Sequence, residues 1–291
     1  MSFRHAYLHG FASSALSTKG QAMRRFYAER SLDLMTLDLN RPRFGRQTYT
    51  TMLSVLDDMD AEHGPREPRP WRLFGSSMGG YTAARWAELN PERVDRLILL
   101  CPAFDFAERW PTMLGEAAFA RWKAEGTLDM PGPTGALEPV HFELFADAAS
   151  NHPNRPVVPC PTLIIHGRND PIVPIEGSRE YAAAHAGRVR LIEVDDDHSL
   201  AGSLEAIQAA AIEHFIDPHH ELWWDYFGGD AEGTAEHFRV HLDDFLSREG
   251  IEGCETGVEV LEVGRRAAAF CRCPESLVAV IGRALRPHRV D

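Results

Sequence analysis

The stretch that decides the fold is "LFGSSMGGYTAARWA", Leu73–Ala87. An apolar run ends in two adjacent serines set among glycines, and a helix-forming run follows. A strand that turns abruptly into a helix through G-x-S-x-G holds its serine at the tip in a strained conformation. Strand and helix then pass so close that the residues two before and two after the serine must be small. Ser77 has Gly75 and Gly79 at those positions, whereas Ser76 has Phe74 and Met78. The spacing selects Ser77 as the nucleophile and leaves Ser76 as a supporting residue. Phosphate loops are excluded on composition. A Walker loop needs a lysine that this stretch lacks, and "GSSMGG" does not match G-x-G-x-x-G.

A serine hydroxyl attacks only when a base removes its proton, and the base must be held by an acid. In this architecture the chain order is Ser, then Asp or Glu, then His. Of the 14 histidines, His198 in "EVDDDHSL" follows the last expected strand, at the carboxyl edge of the sheet where such sites lie. Asp170, in "HGRNDPIVP", is the expected acid. The alternative is the run Asp195, Asp196 and Asp197. Residues next to the base in sequence rarely point back at its ring, and a run of charge is usually a solvated strand end. The developing oxyanion needs two backbone N–H groups. Met78, after the nucleophile, and Phe11, in "LHGFASS", are expected to supply them. His9 precedes the elbow and reads as an orienting residue of that loop.

Outward from the elbow, apolar runs alternate with helical patterns. "AYLHG", "LDLMTLDLN", "WRLFGSS", "VDRLILLCP", "CPTLIIHG" and "RVRLIEVDDDH" read as strands. The alternation predicts an α/β fold with a doubly wound, mostly parallel sheet. Gly64 is expected to end the helix before a Pro-rich connection (Pro65, Pro68, Pro70). Residues 103–158 break the pattern with an apolar segment that shows no clear strand. A helical cap is expected there, with Trp110, Met113, Phe119 and Trp122 facing the substrate. After Pro218, "HHELWWDYFGGDAEG" reads as a linker with an aromatic anchor. A helix, two strands and a helix then form a small αββα unit. The expected domains are 1–218 and 219–291. The second is small for independent stability and is expected to pack on the first or on a second subunit, which leaves room for a homodimer.

The chain has 291 residues, 44% hydrophobic and 25% charged, the balance of a soluble globular protein. Its formal net charge of −13 disfavours nucleic acid and anionic membrane as partners. No apolar run approaches the roughly 20 residues of a membrane helix. The start, "MSFRHAYLHGF", lacks the basic and long apolar segments of a secretory signal, so a cytoplasmic location is expected. Five cysteines in no paired spacing suit a reducing compartment. Cys271 and Cys273 would share one face of a strand as small buried groups. No metal or organic cofactor is expected.

Together, "HGF", "GSSMGG", "HGRNDPIVP" and "DDDHSL" resemble the α/β-hydrolase superfamily over about the first three quarters of the chain. "AYLHGFASSALSTKG" resembles the YqiA-type esterases. "LLCPAFDFAERW" and the apolar cap resemble the acyl-protein thioesterase and acyl-glucuronide esterase branch. The resemblance implies a Ser-His-Asp hydrolase of a small-molecule ester or thioester, with Ser77, His198 and Asp170 in the matching positions. The αββα tail has no counterpart in it. One scaffold hosts many reactions. A hydrolase of carbon–carbon bonds and a non-catalytic binding protein are the alternatives.

Overall fold

The computed structural model describes residues 3–63 and 70–291. Gly64, Pro65 and Pro68, named above for a helix end and a connection, lie outside the described residues. The chain divides into two compact units, Met1–Ala209 and Ala210–Asp291.

The first unit opens with β1 (Arg4–Leu8), α1 (Thr18–Ala28), β2 (Met35–Leu37), α2 (Tyr49–His63), β3 (Trp71–Ser76), α3 (Met78–Leu89) and β4 (Val94–Leu100). A cap follows: α4 (Phe106–Leu114), α5 (Glu116–Glu125), β5 (Thr127–Pro131), β6 (Leu137–His141) and α6 (Glu143–Asn151). The chain then returns through β7 (Thr162–Gly167), α7 (Ile175–Ala184), β8 (Val189–Val194) and α8 (Leu204–Ala211). Six strands form one parallel sheet in the order β2-β1-β3-β4-β7-β8. Leu97 to Leu100 on β4 and Leu163 to Ile165 on β7 are fully buried. Helices cover both faces, which is why these segments read as unbroken apolar runs. Strand order reverses between β1 and β3, and the crevice at their carboxyl ends is where an open α/β sheet places a ligand.

The cap is not helical throughout. β5 and β6 pair as an antiparallel hairpin, Leu128 opposite Val140. Pro131 and Pro139 sit in these short strands, and prolines read from sequence as breaks. Trp122 is fully buried and its Nε1–H donates to the Val140 carbonyl at 2.8 Å, tying α5 to the hairpin.

The second unit comprises β9 (His219–Phe227), α9 (Ala231–Arg248), β10 (Glu255–Glu262), β11 (Arg266–Pro274), α10 (Glu275–Leu285) and β12 (Arg289–Val290). Its antiparallel sheet has the order β10-β11-β9-β12. The segment read as a linker with an aromatic anchor is thus β9, an interior strand paired with β11 along its whole length. Leu222 and Trp224 of that strand pack with Leu242, Leu246, Cys271 and Cys273 in a buried cluster. The unit is therefore βαββα with a closing strand. No helix among the described residues is long and apolar enough to cross a membrane.

Candidate active site

The elbow is built from backbone. Ser77 takes φ 54° and ψ −117°, a region that costs a side-chain-bearing residue free energy. Four hydrogen bonds hold it there. Its N–H donates to the Leu100 carbonyl at 2.8 Å, and its own carbonyl accepts the N–H groups of Gly80, Tyr81 and Ala103 at 2.9, 3.1 and 3.0 Å. A Cβ on Gly75 would stand 2.4 Å from the Gly79 carbonyl oxygen, and one on Gly79 would stand 2.4 Å from that of His9. The glycines answer to crowding between β3, α3 and β1. Ser76 is buried and hydrogen-bonds the Tyr7 hydroxyl, away from the cleft.

The structure brings Ser77, His198 and Asp170 into one chain of contacts. His198 Nε2 lies 3.0 Å from Ser77 Oγ, and its Nδ1 lies 2.6 Å from Asp170 Oδ2. The other oxygen of Asp170, Oδ1, accepts the N–H groups of Ile172 and Val173, each at 2.8 Å. Burial alone would raise the Asp170 pKa. Hydrogen bonds from His166, His198 and the Val173 N–H outweigh it and hold the carboxyl well below the usual carboxylate range. The run after β8 is tied up locally. Asp195 accepts from Asn169, Asp196 from Ser203, and Asp197 from Ser199. These contacts shape the loop that carries His198.

Phe11 and Met78 line the same cleft as Ser77 and His198. Met78 opens α3, where the first N–H groups have no acceptor within the helix. The Phe11 N–H donates to no backbone carbonyl among the described residues. The loop before Phe11 is held by His9, which is almost fully buried. Its Nδ1–H donates to the Gly10 carbonyl at 2.8 Å and its Nε2 accepts the Leu39 N–H at 3.0 Å. Burial pushes the His9 pKa down, which suits this neutral, structural imidazole.

The cleft opens into a chamber of about 320 Å³. Trp110 and Met113 line it, and Phe11 meets the Trp110 ring edge-on at 5.6 Å. Phe119 and Trp122 do not line it. They stand behind Trp110 in an aromatic cluster that includes Phe142 and Phe145. Sequence reading missed Met130, Ile172 and Val173 in the wall. Met130 was hidden with its hairpin, while Ile172 and Val173 stand next to the acid in "DPIVP" and were within reach.

Cys101, His166 and Asp170 bring a thiol, an imidazole and a carboxylate within 4.8 Å of one another, donor types that suit zinc. Each already has a partner: the Cys101 thiol and His166 Nε2 both face the Asp170 carboxylate. Burial pushes the Cys101 thiol up to about 12, so it stays protonated. The trio reads as hydrogen-bonded support for the acid.

Comparison with known proteins now fixes the family. The chain belongs to the Uncharacterised protein family (UPF0227), whose model matches residues 5–216. A curated relative, a pimeloyl-[acyl-carrier protein] methyl ester esterase of Nitrosomonas europaea, is 28% identical over 178 residues, 48% of this chain and 68% of that protein. Two solved structures share the fold at 20% identity. Alpha/beta hydrolase domain-containing protein 10 from mouse has a TM-score of 0.60, covering 73% of this chain and 89% of its own. Est1E from Butyrivibrio proteoclasticus has a TM-score of 0.58, covering 72% and 86%. The fold of this family member is the α/β-hydrolase fold, with an antiparallel sheet added after it.

Proposed function

We propose that this protein hydrolyses a carboxylic ester or thioester with an apolar acyl or aryl group, using Ser77, His198 and Asp170 as a catalytic triad. The protein is a carboxylesterase-type hydrolase, and the esterase named among its relatives supports ester chemistry. The observation that carries the triad is the convergence of His198 on both partners, 3.0 Å to Ser77 Oγ and 2.6 Å to Asp170 Oδ2.

The steps follow from that geometry. His198 Nε2 removes the Ser77 proton as Oγ attacks the acyl carbonyl carbon. Asp170 holds the ring with its proton on Nδ1 and stabilises the imidazolium that forms. The N–H groups of Phe11 and Met78 face the developing oxyanion, and removing one such donor typically costs about 10²–10³ in kcat. His198 returns its proton to the leaving oxygen or sulfur. It then activates water, which releases the acid from Ser77. The acyl or aryl group lies in the chamber against Trp110 and Met113. Arg155 is engaged by Asp105 and Glu180 outside the chamber, while Arg109 lines it with its guanidinium donating to the Phe104 and Ile172 carbonyls.

The test is a fluorophosphonate probe with the adduct mapped by mass spectrometry, run alongside turnover of a panel of p-nitrophenyl esters and acyl thioesters. The wild type and Ser76→Ala label and turn over, and Ser77→Ala does neither. An unlabelled wild type with no turnover across the panel sinks the proposal. Loss confined to Ser76→Ala moves the nucleophile.

A further inference from the structure

The acid has a neighbour that the reaction above does not use. His166 lies on β7 among fully buried aliphatic residues and is itself fully buried. An imidazole there is costly unless its nitrogens are paired. Both are. Nε2 lies 2.8 Å from the Val173 carbonyl oxygen and 3.3 Å from Asp170 Oδ2. Nδ1 lies 2.8 Å from the hydroxyl of Ser178 on α7. A carbonyl and an ionised carboxylate only accept, so Nε2 carries a proton. The serine hydroxyl gives or takes as Nδ1 requires.

The oxygen that His166 reaches is the one that orients the base. Asp170 Oδ2 faces His198 Nδ1 at 2.6 Å on one side and His166 Nε2 at 3.3 Å on another. The two backbone N–H groups fix only Oδ1. The last torsion of an aspartate is soft, so Oδ2 needs its own restraint. The geometry points to His166 as a positioning residue of this hydrolase: its Nε2–H, donated to the Val173 carbonyl, holds the positive edge of the ring 3.3 Å from Asp170 Oδ2, and that close contact steadies the oxygen that holds His198 and withdraws charge from it. This inference rests on the triad reading and extends it.

The competing account is that His166 only ties β7 to the loop before α7 through Val173 and Ser178. The two accounts differ in electrostatics. Without the His166 donor, Oδ2 binds the imidazolium of His198 more strongly, and the protonated base persists to higher pH. The acid limb of kcat/KM, which reports the free enzyme's base, therefore moves up. A purely structural tie changes stability and leaves that limb in place. Cys101, Lys19, Arg109 and Asp197 also act on this carboxylate. None is altered in the variants below, so a difference between them reports His166.

The experiment compares His166→Met, which keeps bulk and removes the donor, with His166→Gln, which keeps an N–H near the Nε2 position. p-Nitrophenyl butyrate serves as the probe substrate. Expected for His166→Met are a kcat lower by about tenfold at unchanged KM, far short of the roughly 10⁴-fold loss of a missing acid, and an acid limb shifted up by about half a pH unit or more. His166→Gln recovers most of both. A folded His166→Met with wild-type kcat, or with an unmoved limb and no rescue by Gln, overturns the inference. ¹⁵N-histidine NMR of the unmodified protein tests it without any variant. A proton on His166 Nε2 across the active pH range is required, and a proton on Nδ1 with a bare Nε2 overturns it. If Ser77→Ala keeps activity, the triad reading itself has failed. If labelling of Ser77 is intact and only the His166 results are negative, this inference alone has failed.

Discussion

The Cα of Gly79 packs against the carbonyl of His9: a Cβ there would stand 2.4 Å from that oxygen, and 2.5 Å from the Leu8 carbonyl oxygen. Both obstacles are backbone at the carboxyl end of β1, where the chain turns toward Phe11. Neither moves without shifting the proposed oxyanion loop. Gly79→Ala is expected to destabilise by about 3 kcal/mol, the upper part of the overpacking range. In a protein of this size that lowers the melting temperature by roughly 6–12 °C. A Cβ on Gly229 meets nothing within 4 Å, so Gly229→Ala is the control and melts within about 2 °C of wild type. Thermal melts of the two variants side by side check this. Equal melting of both refutes the crowding argument.

Asp170→Asn separates charge from shape. The Ile172 and Val173 N–H groups select a carbonyl oxygen at the Oδ1 position. The amide NH₂ is then forced to the Oδ2 position, facing His198 Nδ1 and the His166 Nε2–H. His198 must turn its proton to Nε2 and can no longer accept from Ser77. Expected is a fall in kcat on the order of 10⁴-fold with KM little changed. Steady-state kinetics on a p-nitrophenyl ester reads it directly, and a fall under tenfold excludes Asp170 as the acid.

The same carboxyl sets an acid stability limit. Its folded-state pKa lies below the ordinary carboxylate value, so folding favours the ionised form. A depressed pKa contributes stability that is full above the unfolded-state value and is lost as pH falls toward the folded one. The loss therefore begins below about pH 4. Urea midpoints measured at pH 6, 4 and 3 should fall more steeply for the wild type than for Asp170→Asn between the last two. Parallel curves would show that Asp170 does not carry the effect.

How much of this was legible depended on the range of the interactions involved. The elbow is local: Gly75, Ser77 and Gly79 act within five residues, and their spacing alone separates Ser77 from Ser76. The parallel strands are also local signals, because burial on both faces leaves continuous runs such as Leu97–Leu100. β9 is different. "HHELWWDYF" is a strand because Trp224 pairs with Ala269 and Leu222 with Cys271, partners more than 40 residues away that no local pattern reveals. The hairpin β5–β6 was masked by Pro131 and Pro139, and with it Met130 in the chamber wall. His166 was visible in "LIIHG", but its role depends on a 3.3 Å approach to Asp170 that only the fold supplies.

Two tryptophans of the cap give the last prediction. Trp110 lines the chamber, and Trp122, 5.5 Å behind it between ring centroids, is fully enclosed and bonded to the Val140 carbonyl. Trp122→Ala removes a buried ring and its N–H partner, so a loss of about 3–5 kcal/mol is expected, with the chain-length profile of the remaining folded enzyme little changed. Trp110→Ala enlarges the chamber at the substrate face. Its stability cost is smaller, and its preference among p-nitrophenyl esters shifts toward longer or bulkier acyl groups by about 10-fold or more, the size of one or two methylenes in an apolar pocket. Profiling acetate through decanoate esters together with urea melts separates the two effects. If Trp122→Ala shifts the profile and Trp110→Ala does not, the wall of the acyl site has been assigned to the wrong tryptophan.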